Sequence, residues 1–173
     1  IRAFCKNKNL VAWADDSEAL VAAMGAEPGD LLMFVADKKE VVAQYKLGEC
    51  YEKQEGVEKN EQEAARLYRL AAEQGYPRGM LCTGFCCERG RGVPVNAKEA
   101  ADWYRKAAEA GESDGAFCLG FLYETGEGVP QDWKQAAEWY RVAAEMGQSR
   151  AQCNLAWCYE RGKGVERNLE TAF

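Results

Sequence analysis

The chain has 173 residues, 47% of them hydrophobic, which suits one packed domain or a short array and argues against wholesale disorder. Its 28 acidic and 22 basic residues leave a net charge of −6, which disfavours nucleic acid and anionic membranes as partners. Histidine is absent, removing Ser-His-Asp and Cys-His catalysis and imidazole metal ligands, and no apolar run approaches the ~20 residues of a membrane-spanning helix.

The first 42 residues stand apart from the rest. "IRAFC" and "LVAWA" read as short strands, and "SEALVAAMGA" as a helix capped by Asp16 or Ser17. "GDLLMFVAD" is a β-rich run after a Pro-Gly break, and helix resumes from Lys38. This order predicts a small α+β N-terminal segment over residues 1–42. Within it, "GAEPGDLLMFVADKKEVV" (25–42) resembles part of the GAD domain of bacterial aspartyl-tRNA synthetases, without any synthetase catalytic motif. That resemblance implies an RNA-related role. The acidic composition favours the plainer reading, a fragment that caps the end of an array.

From residue 43 the chain repeats every 36 residues without a gap, as units 43–78, 79–114, 115–150 and a partial 151–173. In each unit Leu47, Leu119 or Leu155, with Tyr51, Tyr123 or Tyr159, reads as the buried stripe of a first helix. Small residues such as Gly48, Gly84 and Gly120 predict close helix contact, and Gly-Val pairs such as Gly92-Val93 break the helix. Gln54 stands where Gly90, Gly126 and Gly162 recur, which predicts a different bend in the first loop. Asn60, Asn96, Asp132 and Asn168 are N-caps for a second helix, with Glu63, Glu99 and Gln135 placed for a capping box. Ala64, Leu67, Tyr68 and Ala71 begin the buried face of that helix, and Gly75, Gly111 and Gly147 end it. Such helix pairs cannot bury a core singly, so they stack.

The shared pattern, A-x-x-x-L-G-x-x-Y, then G-x-G-V, then D/N-x-x-x-A-x-x-W/Y-Y-x-x-A-A-x-x-G, resembles the Sel1-like repeats, relatives of the tetratricopeptide repeats. The resemblance implies a mainly α fold, a right-handed α/α solenoid of Sel1-like helix-turn-helix repeats over residues 43–173. Some cysteine-rich secreted members pair a second-helix cysteine with one in the next unit. Here that second-helix position holds Ala72, Ala108 and Ala144, so the bridge is missing.

Seven of the eight cysteines fall on first helices, and equivalent positions in stacked helices lie roughly 8–10 Å apart, too far for a disulfide ladder. They read as reduced, packed thiols in a cytoplasmic protein. Cys82 and Cys86 share a helix face, yet no second pair completes a zinc set, and a reactive thiol would be Cys86 or Cys87 near Arg89. "ERGRGVP" lacks the Gly-Lys-Ser/Thr of a phosphate-binding loop and recurs at the repeat period, so it is a turn. Glu52, Glu88, Glu124 and Glu160 recur once per unit and read as a solvated or groove-lining row, not a catalytic pair.

On a helical wheel, residues 42, 45, 49, 52 and 53 and their equivalents lie opposite the first helix's core arc. In a curved solenoid this arc lines the concave face. Apolar and aromatic residues rimmed by charge there suit a peptide or partner helix. The candidate partner-binding residues are Tyr45, Glu49, Leu81, Phe85, Glu88, Arg89, Phe117, Phe121, Glu124, Trp157, Glu160 and Arg161. The leading function is a non-enzymatic protein–protein interaction scaffold or adaptor without a cofactor. Alternatives are a thiol redox or metal-binding repeat protein, and an RNA-related factor acting through the N-terminal segment. The partial last repeat also leaves self-association open.

Overall fold

The computed structural model of the chain describes residues 2–5, 10–13 and 41–168. Two four-residue strands, β1 (Arg2–Cys5) and β2 (Leu10–Trp13), pair antiparallel with Arg2 opposite Trp13 and Cys5 opposite Leu10. The helix expected at "SEALVAAMGA" and the β-run "GDLLMFVAD" lie outside the described residues.

Seven helices of 13 residues follow among the described residues: α1 (Val41–Lys53), α2 (Glu61–Glu73), α3 (Pro77–Arg89), α4 (Ala97–Glu109), α5 (Ser113–Thr125), α6 (Trp133–Glu145) and α7 (Ser149–Arg161). Each packs mainly on its sequence neighbours, as a stacked α/α solenoid requires. The core is a chain of small clusters between helices, not one central mass. Tyr68, Tyr104 and Tyr140 sit in successive clusters, each almost fully buried.

Local chemistry sets the boundaries. Asn60 and Asn96 accept from the amides of Glu63 and Glu99 at 3.0 and 3.2 Å, and Asp132 accepts from Lys134 and Gln135. The reciprocal half of the predicted capping box is replaced. The Asn96 amide instead donates to the Cys87 carbonyl at 2.8 Å, tying α4 to the end of α3, and Asn60 and Asp132 do the same to Tyr51 and Tyr123. Glu63 turns to Arg66 and Glu99 to Arg69. At the other end, Gly75, Gly111 and Gly147 take positive φ after the second helices. Tyr76, one residue on, donates to the Ala71 carbonyl, completing a Schellman stop that recurs at Glu112 and Gln148.

The first loop does not bend differently. Gln54 adopts φ 61, beside 68, 77 and 65 for Gly90, Gly126 and Gly162, because the return path to the next helix demands a left-handed residue there. The second glycine of each loop does more than break a helix. A Cβ on Gly92, Gly128 or Gly164 would come within 2.0, 2.3 or 1.9 Å of the backbone of Glu61, Ala97 or Trp133. Each loop therefore rests on the start of the preceding unit's second helix.

The predicted first-helix stripe is buried at Leu47 and Leu119, whereas Leu155, Tyr51, Tyr123 and Tyr159 are only half-buried. Tyr123 and Tyr159 reach the edge between units. There Arg105 and Arg141 donate to the hydroxyls of Tyr123 and Tyr159 at 3.4 Å, and Arg69 makes the equivalent contact with the Cys87 sulfur at 3.8 Å.

Candidate functional site

A three-residue device recurs on the first helices. The ring of Tyr104 crosses Gly84, where a Cβ would come within 2.5 Å of it, and its hydroxyl donates to Glu88 one turn further along. Tyr68 over Gly48 donates to Glu52 at 2.7 Å, and Tyr140 over Gly120 donates to Glu124. Burial first, and then the adjacent carboxylate, push these three phenols well above their ordinary range. The glutamate row is thus not freely solvated. Glu52, Glu88 and Glu124 are half-buried acceptors with part of their capacity already used.

Beside this row lies a pocket of about 300 Å³ built by α3, α5 and the start of α7. It is lined by Phe85, Glu88, Arg89, Asp114, Phe117, Cys118, Phe121, Gln148 and Arg150. A second pocket of about 290 Å³ adjoins it, sharing Phe85 and Arg89 and adding Glu52, Tyr68, Cys82, Cys86 and Arg91. The Phe85 ring meets the edge of Tyr104 at 5.5 Å, Phe117 leans on Tyr140 at 5.8 Å, and Phe121 is 41% exposed.

Five candidates therefore come together: Phe85, Glu88, Arg89, Phe117 and Phe121. Tyr45 and Leu81, expected on the exposed arc, are buried at 3% and 7% exposure. Tyr45 is closed in by Tyr68 and Tyr76, with ring centroids 5.7 and 5.2 Å away, and Leu81 packs into the cluster around Tyr104. Leu81 lies on a first helix flanked by second helices of two units, and Tyr45 is covered by Tyr76 at the entry to the next unit, so each buries a wider arc than the wheel assigned it.

Glu49 is half-buried, and although burial opposes ionisation, Lys46 and Lys53 at 3.3 Å hold its carboxyl below the usual range. Trp157 stacks on Trp133 at 5.6 Å, outside both pockets, and Glu160 and Arg161 are exposed on the same helix. Glu124 belongs to the tyrosine row and not to the pocket wall. Asp114 and Arg150 were missed as site residues. They occupy the same position of successive units as residue 42, on the wheel arc, but the row mixes charge signs and so carried no signal.

The Sel1 repeat family matches the chain at residues 41–76, 80–112, 113–148 and 149–173. The chain belongs to the Sel1 repeat family. Its fold is similar to that of a Sel1 repeat protein from Oxalobacter formigenes, at 35% identity and TM-score 0.80 over 89% of this chain. It is similar also to c5321, a protective antigen of uropathogenic Escherichia coli with an SLR fold, at 31% identity and TM-score 0.84 over 90% of this chain. The chain spans 62% and 35% of the lengths of those two structures. Helicobacter pylori cysteine rich protein B is 25% identical, with TM-score 0.53 over 66% of this chain and 92% of its own. No curated protein sequence matches. Sel1 repeats generally serve as protein-interaction scaffolds. The family match begins at residue 41, outside the segment compared with the GAD domain apart from its last two residues.

Among the described thiols of this Sel1 array, Cys82, Cys86, Cys87, Cys118, Cys153 and Cys158 form no disulfide; Cys86, Cys87 and Cys158 are buried, as is Cys50, while Cys82 and Cys118 are half-buried and Cys153 is exposed. Burial, with the glutamate row alongside, pushes Cys82, Cys86 and Cys118 up to about 12 and Cys158 up to about 11. A reactive thiol needs the opposite shift. Arg89 does not activate Cys86, and the cation at Cys87 is Arg69, whose pull is outweighed by burial. No helix of the described residues is long and apolar enough to cross a membrane.

Proposed function

We propose that this Sel1 repeat protein is a non-enzymatic scaffold that holds an extended or helical segment of another protein across its first helices, on the concave face of the array. The observation that carries this reading is the convergence of Phe85, Phe117 and Phe121 on one pocket spanning two first helices. At about 300 Å³ the pocket lies at the low end of the ~300–1,000 Å³ found for small-ligand sites. It has room for one or two side chains of a docked chain. Aromatic anchors rimmed by charge are what such docking uses.

Panning a phage-displayed random peptide library against the protein tests the reading. The wild type should enrich a consensus, and Phe85→Ala/Phe121→Ala should lose it while keeping its helical circular dichroism. An unchanged consensus on that variant would place binding elsewhere.

A further inference from the structure

The hydrogen-bonding state of the pocket walls identifies the chemistry of the occupant, resting on the docking role just proposed. Every carboxylate there already accepts a bond. Glu88 takes the Tyr104 hydroxyl, Asp114 takes the Gln148 amide at 3.2 Å, and Glu52 takes both Tyr68 and the Arg91 guanidinium at 3.0 Å.

Two guanidinium donors, Arg89 and Arg150, are in the opposite state. Arg89 is exposed, and its nearest carboxylate, Glu88, stands 4.0 Å away. Arg150 is exposed and makes no ion pair among the described residues. The fields of both guanidinia reach the Cys118 thiol on the pocket wall, so the two unspent cations address the same space. The wall between them is apolar and aromatic, formed by Phe85, Phe117 and Phe121.

We propose that this pocket selects an acidic, apolar peptide segment, in which a large apolar side chain fills the phenylalanine wall and a flanking Asp or Glu is gripped by Arg89 and Arg150. Arginine forks carboxylate oxygens bidentately, and the aromatic surround excludes water and strengthens that bond. A basic segment would be drawn by the net charge of −6, yet would meet carboxylates that already hold a hydrogen bond and are flanked by Arg89 and Arg150. A nucleic acid would find the same cations and rings, but it carries a phosphate at every nucleotide past Glu52, Glu88 and Asp114, whereas the peptide needs a single carboxylate between Arg89 and Arg150. The peptide is therefore favoured over RNA.

Fluorescence polarisation with short labelled peptides decides it, using three series in which leucine or phenylalanine alternates with Glu, Gln or Lys, and single-stranded oligouridine as a fourth probe. The Glu series should bind about tenfold more tightly than the Gln series. Arg89→Glu/Arg150→Glu should erase that preference and raise affinity for the Lys series while keeping the helical circular dichroism, because both residues are exposed. Equal affinity for Glu and Gln peptides, still lost on Phe121→Ala, would overturn the acidic preference and leave the groove standing. Peptide binding indifferent to Phe121→Ala, or no binding by any series, would overturn the groove itself. Tighter binding of oligouridine than of the Glu series would overturn both.

Discussion

Tyr104 and Glu88 are joined by a hydroxyl-to-carboxylate bond that links the second helix of one unit to its first, and the bond recurs as Tyr68–Glu52 and Tyr140–Glu124. It couples stability to the candidate site, because Glu88 also lines the phenylalanine pocket. Tyr104→Phe keeps the ring over Gly84 and removes only the donor. A hydrogen bond to a charged group is worth ~1.5–3 kcal/mol, and partial exposure reduces it, so urea unfolding should show a loss of about 1–2 kcal/mol. A loss under about 0.3 kcal/mol would mean that water replaces the tyrosine freely.

Gly128 and Gly111 separate two effects of one substitution. Both take positive φ, but a Cβ on Gly128 would come within 2.3 Å of the Ala97 carbonyl, whereas Gly111 has nothing within 4 Å. Gly111→Ala should cost about 1–2 kcal/mol of left-handed strain. Gly128→Ala should cost clearly more, since the loop must also lift off the preceding unit. Equal melting temperatures for the two variants would show that the loop contact contributes nothing.

Gln54 offers a stabilising change. It bears a left-handed strain of about 1–2 kcal/mol, against the extra ~0.5–1 kcal/mol of chain entropy that a glycine loses on folding. Gln54→Gly should therefore raise stability by roughly 0.5–1 kcal/mol. Thermal melts at matched concentration will show the direction.

The alkaline limb of stability follows from the thiols and phenols. Their pKa values are raised in the folded state, so their contribution is complete below the unfolded values, about 8.5 for cysteine and 10 for tyrosine. It is lost as pH climbs through the folded values, which for Cys82, Cys86 and Cys118 are about 12. The urea midpoint should hold up to about pH 8 and fall steadily from about pH 9 to 11. In a native thiol titration at pH 8, Cys153, the exposed thiol among those described, should react first and the buried ones only at the rate of opening. Fast reaction at Cys86 would revive the redox reading.

Caps, stops and the 36-residue period were legible in the chain because each depends on short-range chemistry. Asn96 caps its own helix, Gly111 turns its own chain end, and the repeats multiply the signal. Helical periodicity likewise located the phenylalanines that line the pocket. It misjudged Tyr45 and Leu81 because a wheel describes one helix, whereas burial depends on how many neighbours surround it.

What only the tertiary structure decided are contacts at long sequence distance. Glu88 became a bonded acceptor by meeting a tyrosine 16 residues on, and Gly128 became a contact point by resting on a helix start 31 residues back. Phe121 stayed outside while Phe85 turned onto Tyr104. Composition and period by themselves determined that helix pairs would form and stack, since an amphipathic pair has nowhere else to bury its apolar face. Which side chains remain free to hold a partner depends on which neighbours have already claimed them, and that is a property of the packed array.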